Sequence, residues 1–281
     1  MFEQLTILAP GLLGASLGMA VNRLALARRV HVWARRAEVR EACQASDWCQ
    51  AAFADPAEAV KGSDLVVICT PVDMIIPMVR DLSPHLSKGA LVTDVGSTKS
   101  RICRTATHAA TEGVVFIGSH PMAGSEKSGM EHARSDLFRD RACLVTPLEK
   151  SPGDSVDRLV RFWRSVGMEV TTLSPEKHDE IVAHISHLPH LLASVLCLQL
   201  SRQPGAWQAF SGQGLRDTTR VAAGNAEIWR SIFEENKEEL LRAIDGFERE
   251  LGSLRAHIHN GEWAQVRHLL DRGKTYREGL D

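Results

Sequence analysis

The 281-residue chain lacks several features that assign proteins to broad classes at sight. It has no long apolar run. Stretches such as Leu65–Thr70 and Leu188–Leu200 fall short of the ~18 residues that suggest a membrane span, so no membrane association is expected. No basic start with an apolar run and a small-residue cleavage site precedes Leu5–Ala9, and no signal peptide is read. Neither charge dominates: 33 basic and 35 acidic residues give a net charge of −2 and a pI near 6.6. That leaves no field to draw in nucleic acid or an anionic surface. The six cysteines (43, 49, 69, 103, 143 and 197) contain no C-x-x-C pair. They read as reduced, mostly buried thiols of a cytoplasmic protein. Repeats and low-complexity segments are absent. What is present is a globular composition, 44% hydrophobic and 24% charged, over a length suited to about two domains.

The first part of the chain alternates short apolar runs with amphipathic stretches, the trace of repeated βα units. Strands are predicted at Leu5–Ala9, Val30–Ala34, Leu65–Cys69, Leu91–Asp94 and Val114–Ile117. Cys143–Thr146 and Met168–Thr172 are expected to extend the same parallel sheet. From Pro175 the alternation disappears, and helices are predicted at about Pro175–Ser201, Ala206–Ala222, Ala226–Asn260 and Gly261–Gly279. The expected architecture is α/β: a Rossmann-type doubly wound sheet over residues 1–173, then an all-helical domain over 174–281. Ser174-Pro175 supplies a cap and a first-turn proline for the first of these helices. The greasy stripe of Ile232, Phe233, Leu240, Leu241, Ile244, Phe247, Leu251 and Leu254 predicts burial against a second copy, making the helical domain a dimerisation domain.

After the first strand, Ala9-Pro10-Gly11-Leu12-Leu13-Gly14 stands where a dinucleotide fingerprint belongs. Gly11 lets the backbone approach a pyrophosphate, Gly14 lets helix and strand pack closely, and the amides of Leu12 and Leu13 face the phosphates. Ala9 replaces the first glycine of the pattern. At the end of the second strand, Val32-Trp33-Ala34-Arg35-Arg36 has no carboxylate before Glu38. Arg35 and Arg36 suit a 2′-phosphate, so NADP is preferred, with NAD not excluded. Thr70 and Pro71 follow the third of the long strands, at the carboxyl edge where a cofactor crosses the sheet.

Polar residues concentrate beside glycines in Val92-Thr-Asp-Val-Gly-Ser-Thr-Lys99, in Gly118-Ser-His-Pro-Met-Ala-Gly-Ser-Glu-Lys-Ser-Gly129, in Ser186-His-Leu-Pro-His190 and in Gly214-Leu-Arg-Asp-Thr-Thr-Arg220. In this order they resemble the prephenate/arogenate dehydrogenase family of tyrosine biosynthesis, and the resemblance runs over nearly the whole chain. It implies oxidative decarboxylation of a cyclohexadienol dianion, prephenate to 4-hydroxyphenylpyruvate or arogenate to tyrosine, with hydride transfer to a nicotinamide. It implies His120 as the base, Ser97 as the hydroxyl that orients substrate and imidazole, and His190 as a second site histidine. Arg220 matches the ring-carboxylate arginine, and Arg216 supports it one turn earlier.

Ser125 and Glu126, in the glycine-rich loop, are read as substrate-binding. Glu126 is a gate or ionic latch, or else a surface carboxylate beside Lys127. Asp94 and Lys99 are expected to brace the serine turn, and Asp217 is a candidate ion-pair partner of Arg220. His184, His187 and His190, three apart, are expected on one helical face. No thiolate or carboxylate set accompanies them, so no metal is expected. Two other classes remain open: a β-hydroxyacid dehydrogenase or imine reductase on the same plan, and a catalytically silent NADP-binding protein.

Overall fold

The computed structural model describes residues 2–124 and 129–280. Strands β1 (Phe2–Leu8), β2 (Ala27–Trp33), β3 (Ala51–Phe53), β4 (Leu65–Ile68), β5 (Leu91–Asp94) and β6 (Val115–Phe116) form one parallel sheet. Its order is β3-β2-β1-β4-β5-β6. The chain winds outward from β1 to β3, then returns and winds the other way, which opens a crevice at the carboxyl ends of β1 and β4. Helices α1 (Leu12–Arg23), α2 (Ala37–Gln44), α3 (Pro56–Val60), α4 (Val72–Leu82) and α5 (Ser100–Ala109) make the crossovers.

Apolar residues run continuously along the central strands because both faces are covered. Leu5, Ile7, Leu65, Val67 and Leu91 join the core that holds Leu17 and Val21 of α1. Their neighbours Leu8, Val66, Ile68 and Val92 join the core that holds Ile75, Val79 and Ile102 of α4 and α5. The two-residue period of a strand divides them.

The main sheet ends at β6. Ile117 N–H still bonds the Val92 carbonyl, but from Gly118 the backbone pairs with a different partner. Strands β7 (Gly118–Pro121), β8 (Ala142–Thr146) and β9 (Glu169–Thr172) form a separate sheet, β7 antiparallel and β9 parallel to β8. This corrects the expectation that the last two extend the main sheet. Helix α6 (Gly153–Val166) links β8 to β9.

Beyond β9 the chain is helical. Helix α7 (Pro175–Val182) starts at Ser174, whose side chain accepts the Lys177 N–H (3.1 Å). It continues through a π-helical turn, Ala183–His187, into α8 (Leu188–Leu200). The run Pro175–Leu200 is long and apolar enough by length and composition to cross a membrane, where Leu188–Leu200 taken alone fell short. Its buried face carries His178, Asp179, His187 and His190.

The expected helix Ala206–Ala222 is instead a 3-10 turn (Gly205–Phe210), a short α9 (Gln213–Thr219) and a second 3-10 turn (Arg220–Ala223). The extended backbone of Ser211 and Gly212 separates the first two. Helix α10 (Ala226–Glu235) is capped by Asn225, which accepts from Glu227 and Ile228 N–H. Asn236 (φ −114°, ψ 31°) breaks what was expected as one long helix, and α11 (Lys237–His259) and α12 (Trp263–Glu278) follow. The chain divides into two compact units, Met1–Asn236 and Lys237–Asp281.

Candidate active site

The turn after β5 holds a buried ion pair. Lys99 Nζ and Asp94 Oδ2 lie 2.5 Å apart with both side chains fully buried. Asp94 Oδ2 also accepts the Gly96 N–H (2.9 Å), and Lys99 donates to the Thr98 carbonyl (2.9 Å). The two residues therefore brace the serine turn as expected. Glycine is required at 96, because a Cβ there would lie 2.8 Å from Asp94 Oδ2 and from Ile75 Cδ1. Burial pushes the Asp94 carboxyl up, and the Lys99 ammonium opposes it.

Strand β7 is fastened across the end of β5. Ser119 Oγ donates to the Asp94 carbonyl (2.7 Å) and lies 2.8 Å from Thr93 Oγ1. This holds the next residue, His120, at the carboxyl edge of the main sheet, paired across the small sheet with Leu144. His120 Nδ1 is 2.8 Å from His178 Nε2, and His178 Nδ1 is 2.8 Å from Asp179 Oδ1. The Asp179 carboxylate accepts the backbone N–H groups of Lys99 (2.7 Å) and Ser100 (2.8 Å) at the start of α5. Burial drives the His120 imidazole well below its usual range, helped by His178, Lys99 and His187. Burial also lowers His178, against the pull of Asp179. In Asp179 burial pushes upward, but the bonds from His178 and Ser100 outweigh it and the carboxyl lies below its usual range.

The π turn decides which histidines meet. Asn236 Nδ2 donates to the Asp179 carbonyl (2.9 Å) and faces His187 Nδ1 (3.1 Å). His187 is fully buried and pushed down to about 4, chiefly by burial, with the Ser97 backbone close enough to raise it. His190 lies one turn on, its ring stacked on Trp229 at 3.6 Å between centroids and 11° between planes. His184 is exposed and does not share the face of His187 and His190. A π turn has more residues per turn than an α-helix, so a spacing of three no longer brings side chains into line.

Arg220 is exposed and opens the 3-10 turn that packs on α8. Gly224, just after that turn, lies against the rings of Trp229 and His190. Arg216 is exposed on α9, and Asp217 accepts from Gln213 Nε2 (2.7 Å). Ser125 and Glu126 lie outside the described residues.

At the other end of the crevice, α1 starts at Gly11 with no side chain among the described residues capping its first amides. A Cβ on Gly11 would meet nothing within 4 Å, whereas one on Gly14 would press on the Ala9 carbonyl and Ile7 at 3.0 Å. Ala9 adopts φ 67°, the left-handed conformation that the missing glycine would favour. Arg35 and Arg36 are both exposed after β2, with Arg36 Nε 3.6 Å from Glu38 Oε1. Arg40 ties this loop by donating to the carbonyls of Ala34 (2.8 Å) and Arg35 (2.9 Å).

Residues 26–172 match the description "Prephenate dehydrogenase, nucleotide-binding domain", and residues 174–272 match "Prephenate dehydrogenase, dimerization domain". The chain belongs to the prephenate dehydrogenase family. It is 32% identical over 225 residues to a prephenate dehydrogenase of Bacillus subtilis, covering 79% of this chain and 61% of that one. It is also similar to the crystal structure of a prephenate dehydrogenase from A. aeolicus in complex with hydroxyphenyl propionate and NAD+. There the TM-score is 0.94 at 28% identity, over 100% of this chain and 99% of that one. An arogenate dehydrogenase of Synechocystis has a TM-score of 0.85 at 28% identity, over 99% and 100% of the two chains.

As a prephenate dehydrogenase-family member the chain has a dehydrogenase's nucleotide-binding domain, and its residues fit a pyridine dinucleotide. The open backbone at Gly11 and the uncapped start of α1 suit a pyrophosphate. Thr70, two residues beyond β4, keeps a buried hydroxyl with no partner among the described residues, an orphan of the kind a ligand satisfies. Pro71 stands exposed beside it at the start of α4. The residues that sequence reasoning missed are His178 and Asp179. Nine residues separate His178 from His187, which on an α-helix puts them on opposite sides. Nothing in the spacing announced that a π turn would bring both to one buried face.

Proposed function

We propose that this protein oxidatively decarboxylates prephenate to 4-hydroxyphenylpyruvate, with NADP as the preferred hydride acceptor. The observation that carries this reading is His120. It is a neutral imidazole at the carboxyl edge of a dinucleotide-binding sheet, hydrogen-bonded to a second histidine that is itself bonded to a carboxylate. The bound nicotinamide supplies the hydride acceptor for the hydrogen on ring C4. As that hydride leaves, His120 takes the proton of the C4 hydroxyl. The C1 carboxylate then departs as carbon dioxide, its bonding electrons aromatise the ring, and the phenolic oxygen recovers the proton, leaving the imidazole neutral. Ser97, on the turn beside His187, orients the hydroxyl, and His190 is a substrate ligand. The planar fork of Arg220 holds the ring carboxylate, with Arg216 in support. Ser125 and Glu126 contribute from the glycine-rich loop.

The NADP preference is supported by Arg35 and Arg36, two exposed guanidinium groups where an NAD enzyme usually has a carboxylate. Exposed Phe247, Leu251, Leu270 and Tyr276 on α11 and α12 suit a homodimer through the domain described as a dimerization domain. Six free cysteines suit a reducing cytoplasm. The test is to mix purified protein with prephenate or arogenate and with NADP or NAD, following the absorbance of reduced nicotinamide. Preferential turnover of arogenate would transfer the reading to that substrate. The His120→Asn variant is expected to fold and bind cofactor yet lose about 100-fold or more in kcat; normal turnover removes His120 from its role.

A further inference from the structure

We infer that His178 and Asp179 are positioning residues that fix the tautomer of His120, leaving its Nε2 as a lone pair able to accept a proton. The inference rests on the reading of His120 as the proton acceptor, and it follows from the direction in which each hydrogen bond must run.

The hydrogen bonds run outward from the start of α5. The Asp179 carboxylate accepts from two N–H groups, those of Lys99 and Ser100, where the amides of a helix start favour negative charge. An ionised carboxylate only accepts, so at 2.8 Å His178 Nδ1 carries the proton between them. His178 is buried and held below its usual range, hence neutral, and a neutral imidazole has a single N–H. Its Nε2 is therefore an acceptor. The group facing that acceptor at 2.8 Å, His120 Nδ1, must be a donor. With its one proton on Nδ1, neutral His120 has a bare Nε2.

The same wiring serves the charged state. When His120 takes a proton on Nε2, its Nδ1–H still points at His178, whose own N–H points at Asp179. A buried imidazolium then faces an acceptor and, behind it, a full negative charge. Without the pair, His120 would be free to put its proton on either nitrogen, and its positive form would sit near Lys99 and His187 without the acceptor and the Asp179 charge behind it.

The arrangement is not a by-product of helix capping alone. A carboxylate that only capped α5 would need no histidine beside it, and His178 has no other hydrogen-bonding partner among the described residues than Asp179 and His120. The pair sits on α7 and His120 on β7, so two separate elements meet to make the arrangement.

The test begins with the unmodified protein labelled with nitrogen-15 histidine, His120 being assigned by the signals that vanish in His120→Asn. Above neutral pH the expected spectrum has His120 Nδ1 protonated and Nε2 bare; a protonated Nε2 overturns the inference. Asp179→Asn then removes the negative charge behind His178 and sets an amide N–H against either the Ser100 amide or the Lys99 amide and His178 Nδ1, so it weakens the hold on both tautomers and the balance of the charged form of His120. The expected loss in kcat is on the order of 100-fold or more, with KM for prephenate and cofactor affinity within about 3-fold. His178→Gln, which leaves the start of α5 untouched, is expected to lose kcat in the same way. Turnover close to that of the unmodified protein in either folded variant overturns the inference, as does a loss confined to KM or to cofactor affinity. If the unmodified protein turns over neither prephenate nor arogenate, the functional reading fails by itself. Turnover accompanied by the opposite tautomer sinks only the positioning role.

Discussion

Replacing Lys99 by Met leaves Asp94 ionised or protonated in a fully buried place, and the size of the penalty follows from the geometry. The two charges lie 2.5 Å apart and are both fully buried. At an effective dielectric of about 20 their gross attraction is about 7 kcal/mol. Removing each ion from water costs several kcal/mol, so the pair as a whole contributes little net stability. A single deletion is different, because it abolishes the attraction and keeps the desolvation of the survivor. Among the described residues Asp94 would retain only the N–H of Gly96 at 2.9 Å and that of Ser119 at 3.4 Å. Lys99→Met should therefore cost about 3–5 kcal/mol. The double variant Asp94→Asn with Lys99→Met should cost less than the sum of the two single changes by at least about 2 kcal/mol. Urea unfolding at neutral pH, with unchanged denaturant dependence as a control, reads both numbers. A Lys99→Met loss below about 1 kcal/mol, or strict additivity in the double variant, would refute the reasoning.

Three smaller predictions rest on other parts of the fold. Ala9→Gly relieves a left-handed φ of 67° and should raise stability by about 0.5–1 kcal/mol in the same assay; a clear loss would mean that the alanine methyl packs usefully. Gly18→Ala improves helix propensity but sets a Cβ 2.2 Å from Trp48 Cε3, deep in the core. The variant should lose about 1–2 kcal/mol with turnover retained, and a gain would show that the indole moves freely. For pH, the folded-state values of His120, His178 and His187 all lie below that of a free histidine. The unfolded chain therefore binds more protons, and the contribution is complete above about pH 6.5 and lost as pH falls toward the folded value. For His187 that span runs from 6.5 to about 4, on the order of 3 kcal/mol. An unfolding midpoint unchanged between neutral pH and pH ~5 would contradict it.

The βα pattern was legible because strands covered on both faces are written as unbroken apolar runs, and Leu65-Val-Val-Ile68 is one. The turn proposed to hold the nucleotide was written in the chain for a related reason. Gly11 and Gly14 shape it through their own backbones, so their identity and order carry most of the information. Even the departure at Ala9 was visible as a departure, although its consequence, a strained left-handed residue, required coordinates. The short strand β3 and the separate sheet β7-β8-β9 were not legible, because strands of two to five residues have too few alternations to reveal a partner.

His120 was singled out by the family resemblance that the stretch Gly118–Gly129 helps to carry. Its surroundings were not. His178 and Asp179 look like two ordinary polar residues in the first turns of a helix, and Asn236 like a polar residue inside a long one. Sequence by itself determined the order of the elements, the faces they bury and the residue types available for catalysis, because these depend on neighbours within about one turn or two strand positions. Only the tertiary structure decided which of those residues touch. A π turn within one helix, an interrupted ladder at Gly118 and a carboxylate reaching 80 positions back along the chain to the Lys99 amide depend on long-range packing, which no local period records.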